Sequence, residues 1–338
     1  MGTRNHTIGS FPQSTTVLYD PLFCIPWLHG VLHPMVDILF QLAPIFFYFV
    51  IGVLLRHFGL ANRSHADFVL RLAFFVTLPL LILLTLPNAV LTFDKIMLPV
   101  ANIVVNVLCL GAMLLATSPL QLPRATLGAM AMNTMIVNNA FMFPFILAVY
   151  GESGFADAVL FDFGNAIMVA TVTFSVAFRY SDEPYQKFAM LKRITGSPLF
   201  WALVLGVLLS VTGIAIPGRI VDIVNPVAQM TAPLILIALG IFFSFSFHQL
   251  NLVGLSLFIR MGLGLVFGVG FAALVGLDGE AFVVVALCSG APIGFMALTF
   301  TSMAKLDAEL TASAVSLSIL LGLIYTPLLM LLLRTFAA

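Results

Sequence analysis

Residues 132–145 read MNTMIVNNAFMFPF, which places Asn133, Thr134, Asn138, Asn139 and Pro144 inside a run, 124–150, that is otherwise apolar. Residues 287–301, LCSGAPIGFMALTFT, answer it with Ser289, Gly290, Pro292 and Gly294 inside the apolar run 281–303. Proline has no N–H, and its ring clashes with the carbonyl four residues earlier, so both runs are expected to break or kink at their prolines. One such proline and asparagine serve well enough as kink and packing residues in a membrane helix. Two matched stretches point further, to a pair of helices interrupted together in mid-membrane. An interrupted helix exposes N–H groups at the start of its second half, where a carboxylate is favoured. Asn138 and Asn139 add amide donors there without burying a cation.

The surrounding sequence establishes that the solvent is lipid. Of 338 residues, 61% are apolar or aromatic and 8% are charged, against about 25% charged in a soluble domain. Backbone in lipid must satisfy its own hydrogen bonds, which leaves helices or a closed barrel. Barrel strands alternate polar and apolar over about ten residues. The runs here are apolar for about 20, enough to cross roughly 30 Å of hydrocarbon as helix. Cys24, Cys109 and Cys288 have neither disulfide-framework nor zinc spacing. A formal charge of zero provides no basic footprint for nucleic acid.

Ten spans are predicted, at 36–57, 68–87, 96–117, 124–150, 158–178, 199–216, 221–243, 252–276, 281–303 and 310–333. Residues 1–34 read as a polar extension, with Met35 as the working start. With the N-terminus outside, ten Lys and Arg fall on the inner side and four on the outer, so the positive-inside rule predicts both termini outside. The segment IGVLLRHFG at 51–59 returns as LGVLLSVTG at 205–213, and TLPLLILL at 77–84 returns as TAPLILIA at 231–238, both at an offset of 154 residues. A repeat of five helices must enter the membrane from the opposite face the second time, which predicts an inverted-topology repeat of the kind found in secondary transporters. The expected division is a first repeat at 35–178, a cytoplasmic loop at 179–198 and a second repeat at 199–338.

The chain resembles the auxin efflux carrier family in its compact bacterial form, from about residue 35 to the end. The pieces that carry the likeness are DILFQLAPIFFYFVIGVLLRHFG (37–59), FVTLPLLIL (75–83), VNNAFMFPFILAVYGE (137–152), LFDFGNAI (160–167) and KLDAELTASAVSLSILLGLIYTPLL (305–329). The resemblance implies an all-α polytopic membrane protein of ten transmembrane helices as a 5+5 inverted repeat, with broken crossover helices four and nine meeting at Pro144 and Pro292. It implies a secondary transporter for small organic acid anions such as malonate, malate or indole-3-acetate, with an elevator-like exchange between a crossover and a scaffold domain. It also implies a homodimer, and contact of Asn138 and Asn139 with the substrate. Pro144, and from the other helix Ser289, Pro292 and Gly294, complete the expected substrate site. The short central loop fits a bacterial inner membrane.

Spans four and five turn near Ser153, with Pro144 nine residues back and Asp162 nine forward, which brings Asp162 level with the interruption. Asn165 follows one helical turn on. An acid at membrane depth is by default a functional-site hypothesis, here coupling to H+ or Na+; the plainer reading is an interfacial acid reaching up to water. Arg71 and Arg260 read as inner-interface residues that snorkel. Glu152 and Asp157 read as outer-loop acids, and Pro79 and Pro233 as matched kinks. No cofactor or metal is expected. An intramembrane hydrolase would need a buried histidine or a second acid beside a nucleophile, and the sequence has neither HExxH nor GxSxG. An ion channel or membrane-embedded sensory domain is the alternative function; a channel would need a filter stretch or charged rings.

Overall fold

The computed structural model describes residues 26–89, 92–181, 196–243 and 249–333, with backbone alone for 26–39. The chain divides into two units, 1–37 and 38–338. Most of the expected N-terminal extension, and the loop 179–198 from residue 182 to 195, lie outside the described residues. The account that follows concerns the second unit.

Every element is helical, and among the described residues there is no strand. The helices are α1 (Pro26–His57), α2 (Arg63–Leu72), α3 (Leu78–Thr85), α4 (Phe93–Thr117), α5 (Arg124–Met135), α6 (Asn139–Met168) and α7 (Phe174–Arg179), followed by α8 (Pro198–Thr212), α9 (Gly218–Ala228), α10 (Thr231–Phe242), α11 (Leu250–Leu257), α12 (Gly264–Val275), α13 (Gly279–Ser289), α14 (Met296–Met303) and α15 (Ala308–Leu333). Among the described residues, seven helical stretches are long and apolar enough to cross a membrane: Phe40–His57, Arg63–Asn88, Phe93–Leu120, Asn139–Arg179, Gly218–Phe242, Leu250–Val275 and Ala308–Leu333. The predicted spans outside this set fall where helices are short or divided. α8 has 15 residues, α13 has 11 and α5 has 12. Helix α6 holds two helical runs joined at Gly151, whose φ of 65° and ψ of −157° leave the helical region.

The prolines expected to kink spans two and seven each open a helical segment. Pro79 stands in the first turn of α3, after a π-turn at Ala73–Thr77 that carries the Leu78 N–H back to the Ala73 carbonyl. Pro233 stands in the first turn of α10.

The 154-residue offset of the sequence echoes recurs in contacts. Thr231 Oγ1 donates to Thr77 Oγ1 at 3.0 Å, and Arg260 Nη1 donates to Asn106 Oδ1 at 2.7 Å; each pair is 154 residues apart. Arg56 Nη1 donates to the Phe243 carbonyl at 2.6 Å and Ser210 Oγ to the Ala89 carbonyl at 2.5 Å. One of these bonds becomes the other when each partner is exchanged for its equivalent across that offset. Gly52 on Gly240 and Gly206 on Leu86 are close packing contacts related in the same way.

Candidate substrate site at the helix crossing

Helix α5 ends at Met135 and α6 begins at Asn139; α13 ends at Ser289 and α14 begins at Met296. The two gaps meet. Val137 and Ile293 form an antiparallel bridge, the Asn138 N–H donates to the Pro292 carbonyl at 2.9 Å, and the Gly294 N–H donates to the Ile136 carbonyl at 2.8 Å. The Ile293 N–H donates to Ser318 Oγ at 3.1 Å. Buried backbone groups freed by breaking a helix need partners, and here each broken helix supplies them to the other. Gly294 permits the approach, since a Cβ there would stand 2.8 Å from the Val137 carbonyl oxygen.

The break in the first stretch comes at 136–138, and Pro144 lies six residues beyond it inside α6. The expected break at Pro144 is therefore displaced, while Pro292 does lie in its gap. The start of α6 is set by Asn138, whose Oδ1 accepts the Phe141 N–H at 3.1 Å as an N-cap. Capping and backbone pairing fix this helix end; the proline is absorbed within the helix.

The predicted polar residues fall into two joined clusters. At the crossing itself stand Asn138, Ser289, Pro292 and Gly294, all buried. Beside it, Asp162 Oδ1 accepts from Asn139 Nδ2 at 2.7 Å and from Asn165 Nδ2 at 3.0 Å. Asp162 and Asn165 are partly exposed, whereas Asn139 is buried. Among the described residues, several buried polar atoms have no hydrogen-bond partner: Asn138 Nδ2, Asn139 Oδ1, Asn165 Oδ1, Ser289 Oγ and both amide atoms of Asn133. Most buried polar groups in proteins are satisfied; these are not, and neither are others on Asn102, Thr173, Ser256 and Thr311.

Two charged residues differ from their sequence reading. Arg260 does not snorkel: it is 1% exposed and lies at the crossing. Its Nη1 donates to Asn106 Oδ1 and, at 3.2 Å, to the Thr134 carbonyl, and its Nη2 donates to the Ser289 carbonyl at 2.6 Å. The carbonyls are in the last turns of α5 and α13, and a cation is favoured at a helix C-terminus. Asp157 is not a loop acid. It is buried in α6 and forms an ion pair with Lys95 of α4. Arg260 stands 154 residues after Asn106, itself a polar residue deep in span three, but that offset does not by itself reveal burial. Arg71 is exposed.

A cavity of about 320 Å³ lies apart from the crossing, lined by Asn88, Glu152 and Asn225 among others. Among the described residues, no group of three His, Cys, Asp or Glu side chains could hold a metal ion.

Comparison with known proteins adds a family model described as membrane transport protein, which matches residues 37–330. An uncharacterized transporter of Methanothermobacter thermautotrophicus is 23% identical over 286 residues, covering 82% of this chain and 93% of that protein. An uncharacterized transporter of Methanocaldococcus jannaschii is 24% identical over 277 residues, covering 79% of this chain and 89% of that protein.

Proposed function

The chain belongs to the membrane transport protein family, the family of the auxin efflux carriers, and from that premise we propose that it is a secondary transporter moving small organic acid anions by alternating access. The observation that carries the proposal is the mutual pairing of the two helix gaps at 136–138 and 290–295, with buried asparagines beside it. That geometry buries the start of α6 and sets the start of α14, whose Met296 is exposed, at the same crossing. Helix starts and neutral amides together favour a carboxylate, and membrane transporters place such discontinuous helices at their substrate sites.

The proposed architecture is two five-helix repeats of opposite orientation, 35–178 and 199–338. The exchanged contacts at one offset support it, since a two-fold relation between halves makes residue i touch j and the equivalent of j touch the equivalent of i. Thr77–Thr231 and Asn106–Arg260 are pairs of equivalents in direct contact, as residues on such an axis would be. The proposed substrate contacts are Asn138, Asn139, Ser289, Pro292 and Gly294, with Pro144 in the helix behind them. Asp162, held by Asn139 and Asn165, is proposed to carry the coupling proton or to hold Na+. The proposed location is the cell membrane, with both termini outside.

Reconstitution in liposomes tests the proposal, with malonate, malate and indole-3-acetate as probes. A carrier limited by domain motions on the millisecond scale gives saturable flux below about 10³ per second. Unsaturable, faster flux would identify a channel, and absence of flux for all acid anions tried would remove the anion reading.

A further inference from the structure

Arg260 is the largest fully buried side chain among the described residues. No carboxylate among them lies within salt-bridge distance of it. An unpaired charge in a protein interior is costly, so its compensation has to come from dipoles. Two of its three acceptors are last-turn carbonyls, Thr134 of α5 and Ser289 of α13. A helix C-terminus carries about half a negative charge, and two of them roughly balance one guanidinium. The planar fork matters, because one nitrogen reaches α5 and the other reaches α13. Space for it depends on Gly264, where a Cβ would stand 2.9 Å from Arg260 Nη2 and 2.5 Å from the Ser289 carbonyl.

Four half-helix ends meet at the crossing, two starting and two finishing. Taken alone, about +0.5 at each start and −0.5 at each finish cancel, and a carboxylate would gain little by entering. We infer that Arg260 is the positioning charge of the anion site: by neutralising the ends of α5 and α13 it leaves the starts of α6 and α14 as the net potential that an incoming carboxylate meets. This inference rests on the transport reading above, in which the charge of Asp162 is met by the coupling ion. Arg260 acts through the helix ends and does not itself touch the substrate. Its equivalent at the 154-residue offset is the neutral Asn106, so the crossing carries one buried cation where a symmetric pair would have placed two.

The test needs a variant that removes the charge effect and keeps the fork. Asn106→Asp does so. It sets a carboxylate against Arg260 Nη1 in place of the amide oxygen now 2.7 Å away. Asn102 Nδ2, buried and without a partner, can turn to donate to that carboxylate. Arg260→Gln and Arg260→Lys complete the set. Equilibrium binding of malonate, malate and indole-3-acetate is measured on purified full-length protein, and uptake on proteoliposomes. Asn106→Asp is expected to weaken binding of all three by about tenfold or more, with KM rising in step, Vmax little changed and the melting temperature undiminished. Arg260→Lys is expected to regain most of the affinity that Arg260→Gln loses. Wild-type affinity in Asn106→Asp overturns the inference, as does an Arg260→Lys variant no better than Arg260→Gln; if Arg260→Gln fails to fold, the Asn106→Asp result decides alone. Affinities in the expected order without any flux would remove the transport reading and leave the inference standing. Normal flux with unchanged affinity in Asn106→Asp would do the reverse.

Discussion

Asn139 and Asn165 donate to the same oxygen of Asp162, at 2.7 and 3.0 Å, so the acid at the crossing is oriented from two sides by neutral groups. Asn139→Ala removes one of these bonds together with an amide beside the proposed substrate. The exchange costs roughly 1.5–3 kcal/mol of stability, the usual worth of a hydrogen bond to a charged group, yet uptake is expected to fall to background while the protein stays folded in detergent. Wild-type uptake kinetics in that variant would take the crossing out of consideration as the site. Asp162→Asn keeps both shape and polarity and removes the ionisable group. The expected result is flux that no longer follows an imposed H+ or Na+ gradient; unchanged ion dependence would make Asp162 structural. These residues were legible in the sequence because a polar side chain deep in an apolar run stands out. Arg260 was not, because position along a presumed straight helix says little about burial when a π-turn at Phe258–Leu263 interrupts span eight.

Proline rules locate an interruption to within a turn or two, and the partner backbone decides where the helix stops. Pro292 lies in its gap, whereas the other gap precedes Pro144, because Asn138 caps α6 and donates its N–H to the Pro292 carbonyl, and Ile136 accepts from the Gly294 N–H. No single-helix reading contains that information. The pairing makes Gly294→Ala a direct probe of the crossing. Its Cβ would press on the Val137 carbonyl and on Ile136 Cγ2, 2.8 and 2.9 Å away, and overpacking of this kind costs about 1–3 kcal/mol. Both the melting temperature and transport are expected to drop. A variant with wild-type melting and uptake would mean that the gaps separate readily and do not define the site. Between α4 and α6, the Lys95–Asp157 pair invites a different test. Lys95→Ala strands a carboxylate that has no exposure, at a cost of about 3 kcal/mol by the lower figure for broken buried pairs. Adding Asp157→Asn should return most of the loss, and a double variant as unstable as the single would show that the stranded charge is not its cause.

For the molecule as a whole, the membrane class follows from composition, because 8% charged residues cannot coat a soluble protein of this size. The count of spans was harder to read. A hydropathy window passes over residues such as Ile136, apolar enough for a helix but extended because the crossing claims its backbone. The proposed repeat was faint in sequence, and the contacts that share its 154-residue offset support it, as do two loop glycines: Gly59 and Gly213, 154 residues apart, take φ of 71° and 66° after α1 and α8. If the halves are inverted, these two turns lie on opposite faces of the membrane, with residue 59 inside and residue 213 outside. Phe58 and Thr212, next to them, are both exposed. In a background with Cys24, Cys109 and Cys288 replaced by alanine, Thr212→Cys is expected to react with an impermeant maleimide on intact cells. Phe58→Cys is expected to react only after permeabilisation. Labelling of both from one side would make the repeats parallel, and the axis through Thr77–Thr231 and Asn106–Arg260 would then run along the membrane normal. The helix starts at the crossing would no longer be related across the membrane plane, and one site could not be opened to either side by exchanging the roles of two equivalent halves.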